Sequence, residues 1–122
     1  MQNHVTFETS LRLKEAGFPQ PEPEAGQFWY NTMFKQDIGV VVGDALYFVN
    51  GTGFTIPSEH SKNYMVFAPT SADILRELPV GFCIVNFGKF GFGAEFEKHE
   101  YIRDQNPAEA AAQAFIKLKA EQ

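Results

Sequence analysis

Glu95, Glu97 and His99 are the residues of this chain whose types and spacing best suit chemistry. On an extended strand, positions i, i+2 and i+4 project to one side. Two carboxylates and an imidazole there have the donor types to hold a divalent metal or to exchange protons. Tyr101 continues the same row. A solvated outer face with cross-strand ion pairs is the simpler account of the row. These three residues therefore stand as metal candidates, and no catalytic residue and no cofactor is assigned. Ser58, Glu59 and His60 combine nucleophile and base types, but chain neighbours rarely point together, and a loop explains them. His4 belongs to a terminus expected to be mobile. The single cysteine, Cys83, lies in the apolar run from Val80 to Phe87 and is expected to be a small buried hydrophobe.

A second stretch invites a functional reading. Phe87 to Phe96 runs F-G-K-F-G-F-G-A-E-F. A phosphate-cradling loop needs its glycines between a strand and a helix, so that N–H groups at the helix start meet the phosphates. Here A-E-F-E-K-H-E-Y follows with no helical period, and Lys89 precedes Phe90 where a Walker loop needs Ser or Thr. The stretch also resembles the RNA-recognition signature in which alternate aromatics stack on bases. The residue required between Lys89 and Phe90 is missing, however, and Phe96 falls one place late. Phe90, Phe92, Ala94 and Phe96 then share one face, as core residues do. The expectation is a core hairpin turning at Gly88-Lys89, with Gly91, Gly93 and the acidic row on the opposite side.

The elements that would position these residues follow from capping and periodicity. A helix is expected from about Phe7 to Ala16, with Thr6 as N-cap, Phe7 and Leu11 on one face, and Gly17-Phe18-Pro19 as its exit. P-Q-P-E-P-E-A-G is an extended connection. Strands are expected over Gln27 to Phe34, Ile38 to Val42, Ala45 to Val49 and Tyr64 to Ala68, with turns at Gly43-Asp44 and Asn50-Gly51. Thr70 with Asp73 forms a capping box for a short helix ended by Pro79. Strands Val80 to Phe87 and Phe90 to about Ile102 come next. Asn106, Pro107 and Glu109 then open a last helix to about Ala120, with Ala111, Ala114, Phe115 and Leu118 inward. This order predicts one domain of α+β class: an antiparallel sheet of about five to six strands with three helices packed mainly on one face.

Composition narrows the function. The net charge of −5 repels phosphate backbones at long range, which disfavours general nucleic-acid binding. No apolar run approaches a bilayer span, the start lacks a secretory pattern, and one cysteine fits a reducing compartment; a cytoplasmic protein is expected. Aromatics are in surplus, with 13 Phe. Phe28, Trp29 and Tyr30 are consecutive, so on a two-faced sheet at least one must point away from the core. Together with Tyr101 they are candidates for a partner surface, unless a second layer covers them.

L-K-E-A-G-F-P-Q at 13–20, F-A-P-T-S-A-D-I-L-R-E-L-P at 67–79 and the helix start N-P-A-E-A resemble, in this order, small bacteriophage and prophage proteins of bacteria. The resemblance implies a phage-like accessory role and carries over no catalytic residue. The leading expectation is a non-enzymatic module that binds a protein partner or itself. The alternatives are a metal-dependent or acid/base enzyme using Glu95, Glu97 and His99, and single-strand nucleic-acid binding through Lys89, Lys98 and exposed aromatics.

Overall fold

A computed structural model describes residues 3–32, 38–42, 45–48, 53–55 and 65–122. The chain is α+β, and it divides into two compact units: Met1–Phe18 with Pro69–Gln122, and Pro19–Ala68. The expected single sheet is instead two antiparallel sheets, one of five strands and one of three. Alternation in sequence marks strands but not which strands share hydrogen bonds, so the division was invisible to it.

The Pro19–Ala68 unit holds β1 (Phe28–Asn31), β2 (Ile38–Val42), β3 (Ala45–Phe48), β4 (Gly53–Thr55) and β5 (Met65–Ala68), in the order β4-β3-β2-β1-β5. β1 therefore has neighbours on both sides, with Trp29 opposite Gly39 of β2 and Phe67 of β5. The expected turns at Gly43-Asp44 and Asn50-Gly51, and the Ser58-Glu59-His60 cluster, lie outside the described residues. Ahead of β1, Gln27 Oε1 accepts from the Glu24 backbone N–H at 2.8 Å and from Trp29 Nε1 at 3.2 Å. This satisfies the polar atom of a buried indole, as burial requires.

The other unit is built around the last helix. α1 (Phe7–Glu15), α2 (Ser71–Leu75) and α3 (Pro107–Ala120) accompany a sheet of β6 (Phe82–Asn86), β7 (Phe92–Phe96) and β8 (His99–Asp104). α3 packs on β7 and β8, and α1 and α2 pack on α3. Ala94 of β7 is fully buried against Ala110 and Ala114, which stand one turn apart on α3, and Phe82, Ile84, Phe92 and Tyr101 close around them. Small side chains on both surfaces bring helix and sheet together, and the surrounding aromatics supply the buried area.

The helix ends follow their signals. Phe18 N–H donates to Leu13 O at 2.9 Å and Gly17 N–H to Lys14 O at 3.1 Å, with Gly17 at φ +93°. This is the paired-bond exit that only a left-handed residue allows. Phe18 then meets the Phe115 ring edge-on at 5.2 Å. Thr70 and Asp73 form the expected box. On α1 the buried residues are Thr9, Ser10 and Leu13, while Phe7 and Leu11 are only half-buried, a rotation from the expected face. The Ser10 hydroxyl is satisfied within the helix, donating to Thr6 O at 2.9 Å, and the Thr9 hydroxyl faces inward because α3 supplies a polar partner there, described next.

Glu109 has the local spacing of a capping box yet makes a long-range one. Its Oε1 accepts from the Thr6 N–H at 3.1 Å and from Thr9 Oγ1 at 3.0 Å, so it caps α1 across 103 residues. The N–H of Asn106, which a local box would have satisfied, donates to Asp104 Oδ1 at 2.9 Å instead. A carboxylate at a helix N-terminus is favoured by the helix dipole as well as by the hydrogen bonds.

Candidate interaction surface

The segment expected as one strand from Phe90 to Ile102 is a hairpin. β7 ends at Phe96, Glu97 and Lys98 form the turn at φ +51° and +71°, and β8 begins at His99. Consequently Glu95, Glu97 and His99 are not a row on one strand. Glu95 lies within β7, Glu97 occupies the turn, and His99 pairs with Phe96. Among the described residues no group of three or more His, Cys, Asp or Glu is placed to hold a metal ion.

The pairing of β7 with β8 also shifts. Ala94 lies opposite Ile102, but Glu95 lies opposite Glu100, which leaves Tyr101 as an extra residue, a β-bulge. Tyr101 thereby reaches the helix side, where it packs on the Ala94 cluster, edge-on to Phe82 at 5.4 Å and beneath Lys117 Nζ at 5.1 Å. The bulge has a second effect. Residues three apart on a regular strand face opposite ways, yet Glu100 and Arg103 meet on the outer face in a two-pronged ion pair.

That ion pair completes a stack. The Arg103 guanidinium lies 4.0 Å from the centroid of the Phe87 ring, and Phe87 lies in turn over Gly93, where an added Cβ would come within 2.8 Å of the ring. A glycine on a sheet, covered by a neighbouring aromatic, restores the packing that its missing side chain forfeits. Chiefly through its hydrogen bond to Glu100, the Arg103 guanidinium is held above its ordinary pKa; slight desolvation opposes this, and the charges of Glu100 and Glu95 add to it.

The connection from β6 to β7 is a 3₁₀ turn over Gly88–Phe90 and not the two-residue turn expected at Gly88-Lys89. Each end of it is tied down. Asn86 Oδ1 accepts from the Gly88 N–H at 2.8 Å, Phe90 N–H donates to Phe87 O at 3.2 Å, and Gly91 N–H donates to Gly88 O at 3.0 Å. Gly91, at φ +89° and ψ −158°, occupies a region essentially confined to glycine, and a Cβ there would lie 2.7 Å from Asp104 O. The turn carries Phe90 out of the expected core row: its side chain is 61% exposed, with Lys89 Nζ 5.3 Å from the ring. Of the remaining row, Ala94 is buried, and Phe92 and Phe96 are half-buried.

Other candidates fall elsewhere. Trp29 and Tyr30, neighbours on one strand, are 2% and 5% exposed, so both faces of β1 are covered there, and Phe28 is half-buried. The exposed aromatic expected among them is absent. Cys83, expected inside, is exposed on β6, because its neighbours Phe82 and Ile84 take the helix face. His4 is anchored at its backbone, where its carbonyl accepts from Asn106 Nδ2 at 3.0 Å. Lys89 and Lys98 sit at opposite ends of β7, separated by its five residues at about 3.3 Å each. No described helix is long and apolar enough to cross a membrane. Compared with known proteins, the chain matches no family model, no curated protein and no solved structure.

Proposed function

We propose that this chain is a non-enzymatic binding module, a phage-type accessory protein of the cytoplasm that acts by contacting another protein or a second copy of itself. Phe90 carries the reading. It is a large apolar side chain displayed on a turn hydrogen-bonded at both ends, so docking it into a partner costs little ordering of the backbone. Aromatic anchors of this kind, with a cation beside them, contribute disproportionately to interfaces. The resemblance of the two capping segments and the last helix start to small phage proteins supports the accessory role.

The test compares the native chain with Phe90→Ala in light scattering across a concentration series and in capture from a bacterial host lysate. The native chain is expected to self-associate or to retain a defined partner, and Phe90→Ala to weaken that association at least tenfold. A strict monomer that captures nothing removes the support for this reading, and an association indifferent to Phe90→Ala removes Phe90 as its anchor.

A further inference from the structure

We infer that β6 is the edge to which a second copy of this chain adds, antiparallel and centred on Ile84, so that two three-stranded sheets join into one. The inference rests on the binding-module reading and names its partner. In the order β6-β7-β8, both outer strands are edges among the described residues, and they are built in opposite ways. β8 is H-E-Y-I-R-D, charged and bulged at Tyr101, the devices by which an edge is kept from pairing. β6 is F-C-I-V-N, with no charge, no proline and no bulge in its pairing with β7.

The hydrogen-bond directions of β6 make it complementary to itself. Phe87 N–H donates to Gly91 O at 2.8 Å, continuing the register that pairs Asn86 with Phe92 and Ile84 with Ala94. Bonded pairs alternate along an antiparallel ladder, so Val85 and Cys83 also bond toward β7. Phe82, Ile84 and Asn86 then direct their backbone groups away from it. The Phe82 N–H agrees, since it donates to Pro79 O at 3.3 Å. A two-fold axis at Ile84 lets each Ile84 bond its counterpart through both N–H and C=O, and each Asn86 N–H reach the Phe82 carbonyl of the second copy. The axis runs perpendicular to the sheet, so the helix layers of both copies lie on one side and Cys83 and Val85 of both lie on the other.

Charge argues for this edge too. Each copy carries a net charge of −5, and pairing through β8 would set Glu100 and Asp104 against another acidic strand. β6 meets its counterpart without a single carboxylate. Half-buried Phe82 and Ile84 lie at the same edge and gain cover from the second copy.

The register makes the test specific. Cys83 lies opposite Val85 of the second copy, not opposite its own counterpart. Under mild oxidation the native chain is therefore expected to run as a single chain on a non-reducing gel, Val85→Cys as a disulfide-linked pair of twice the mass, and Cys83→Ala/Val85→Cys as a single chain. In sedimentation, Cys83→Lys, which adds a charge at an exposed position, is expected to shift the monomer–dimer midpoint at least tenfold upward in concentration while leaving the melting temperature in place. It also serves should Val85→Cys fail to fold. A native dimer in which Val85→Cys links no better than the double variant, or in which Cys83→Lys dimerises unchanged, overturns the β6 edge and leaves the binding-module reading standing. A native monomer that captures a different protein through Phe90 has the same consequence. A monomer that captures nothing removes both.

Discussion

The chain reverses direction on either side of β7, and the two reversals answer similar backbone demands with different residues. The one before it uses Gly88 at φ +63° and Gly91 at φ +89°; the one after it uses Glu97 and Lys98, at φ +51° and +71°. What separates them is what lies near. At Gly91 the backbone of β8 is so close that a Cβ would strike Asp104 O, whereas the Glu97 and Lys98 side chains stand in solvent. Glycine is required where conformation and contact coincide; where only conformation is demanding, other residues bear the cost, about 1–2 kcal/mol each for a left-handed residue. Of the three glycines that imitate a ligand loop, Gly91 answers to the backbone of β8 and Gly93 to the Phe87 ring, while Gly88, with no atom within 4 Å of an added Cβ, answers to conformation alone.

Gly91→Ala should break the first reversal most severely. Its backbone region and its overlap with Asp104 predict a loss of about 2–4 kcal/mol in urea unfolding. A loss below about 1 kcal/mol would show that β8 yields easily and that contact does not select the glycine. The opposite experiment relaxes the second reversal. Glu97→Asn with Lys98→Gly supplies the residues that two-residue turns at positive φ favour, and is expected to stabilise by about 1–2 kcal/mol in the same measurement.

Gly93→Ala tests the stack between the reversals. The atoms in its way belong to the Phe87 ring and to Glu100 Oε1, which move more readily than backbone, so a loss of about 1 kcal/mol is expected. Phe87→Ala made together with it should cost less than the sum of the two single changes, because both disturb one contact. The smallest effect belongs to Phe90→Ala. At 61% exposure its removal should change stability by no more than about 0.5 kcal/mol, so any loss of association reports the surface and not the fold.

Local chemistry was legible and non-local pairing was not. Thr6, Gly17, Thr70, Asp73 and Asn106 announced helix ends because capping is settled within a few residues. Glu109 announced a cap, but its partner Thr6 lies 103 residues away, and nothing near either residue connects them. The Glu97-Lys98 turn was hidden because it lacks the Asn, Asp or Gly that marks such turns, so the apolar-polar alternation carried the expected strand through it. That error created the apparent row of Glu95, Glu97 and His99. Phe90 was assigned to the core by the same alternation, which the 3₁₀ turn interrupts. The Phe87–Gly93 pairing did leave a trace, since a glycine in a strand signals close approach by another group, but naming the aromatic above it required the register.

The extra residue at Tyr101 gives β8 two phases. From His99 to Glu100 the strand counts from the hairpin tip, and from Ile102 to Asp104 it counts one place later. Deleting Tyr101 would merge the two counts into a regular ladder with Glu100 still opposite Glu95, and would take from the helix face the ring that packs on Phe82 and the Ala94 cluster. A single unpaired position therefore lends the apolar layer beneath α3 one more aromatic than alternation alone would allow, while the residues on either side of it keep their faces.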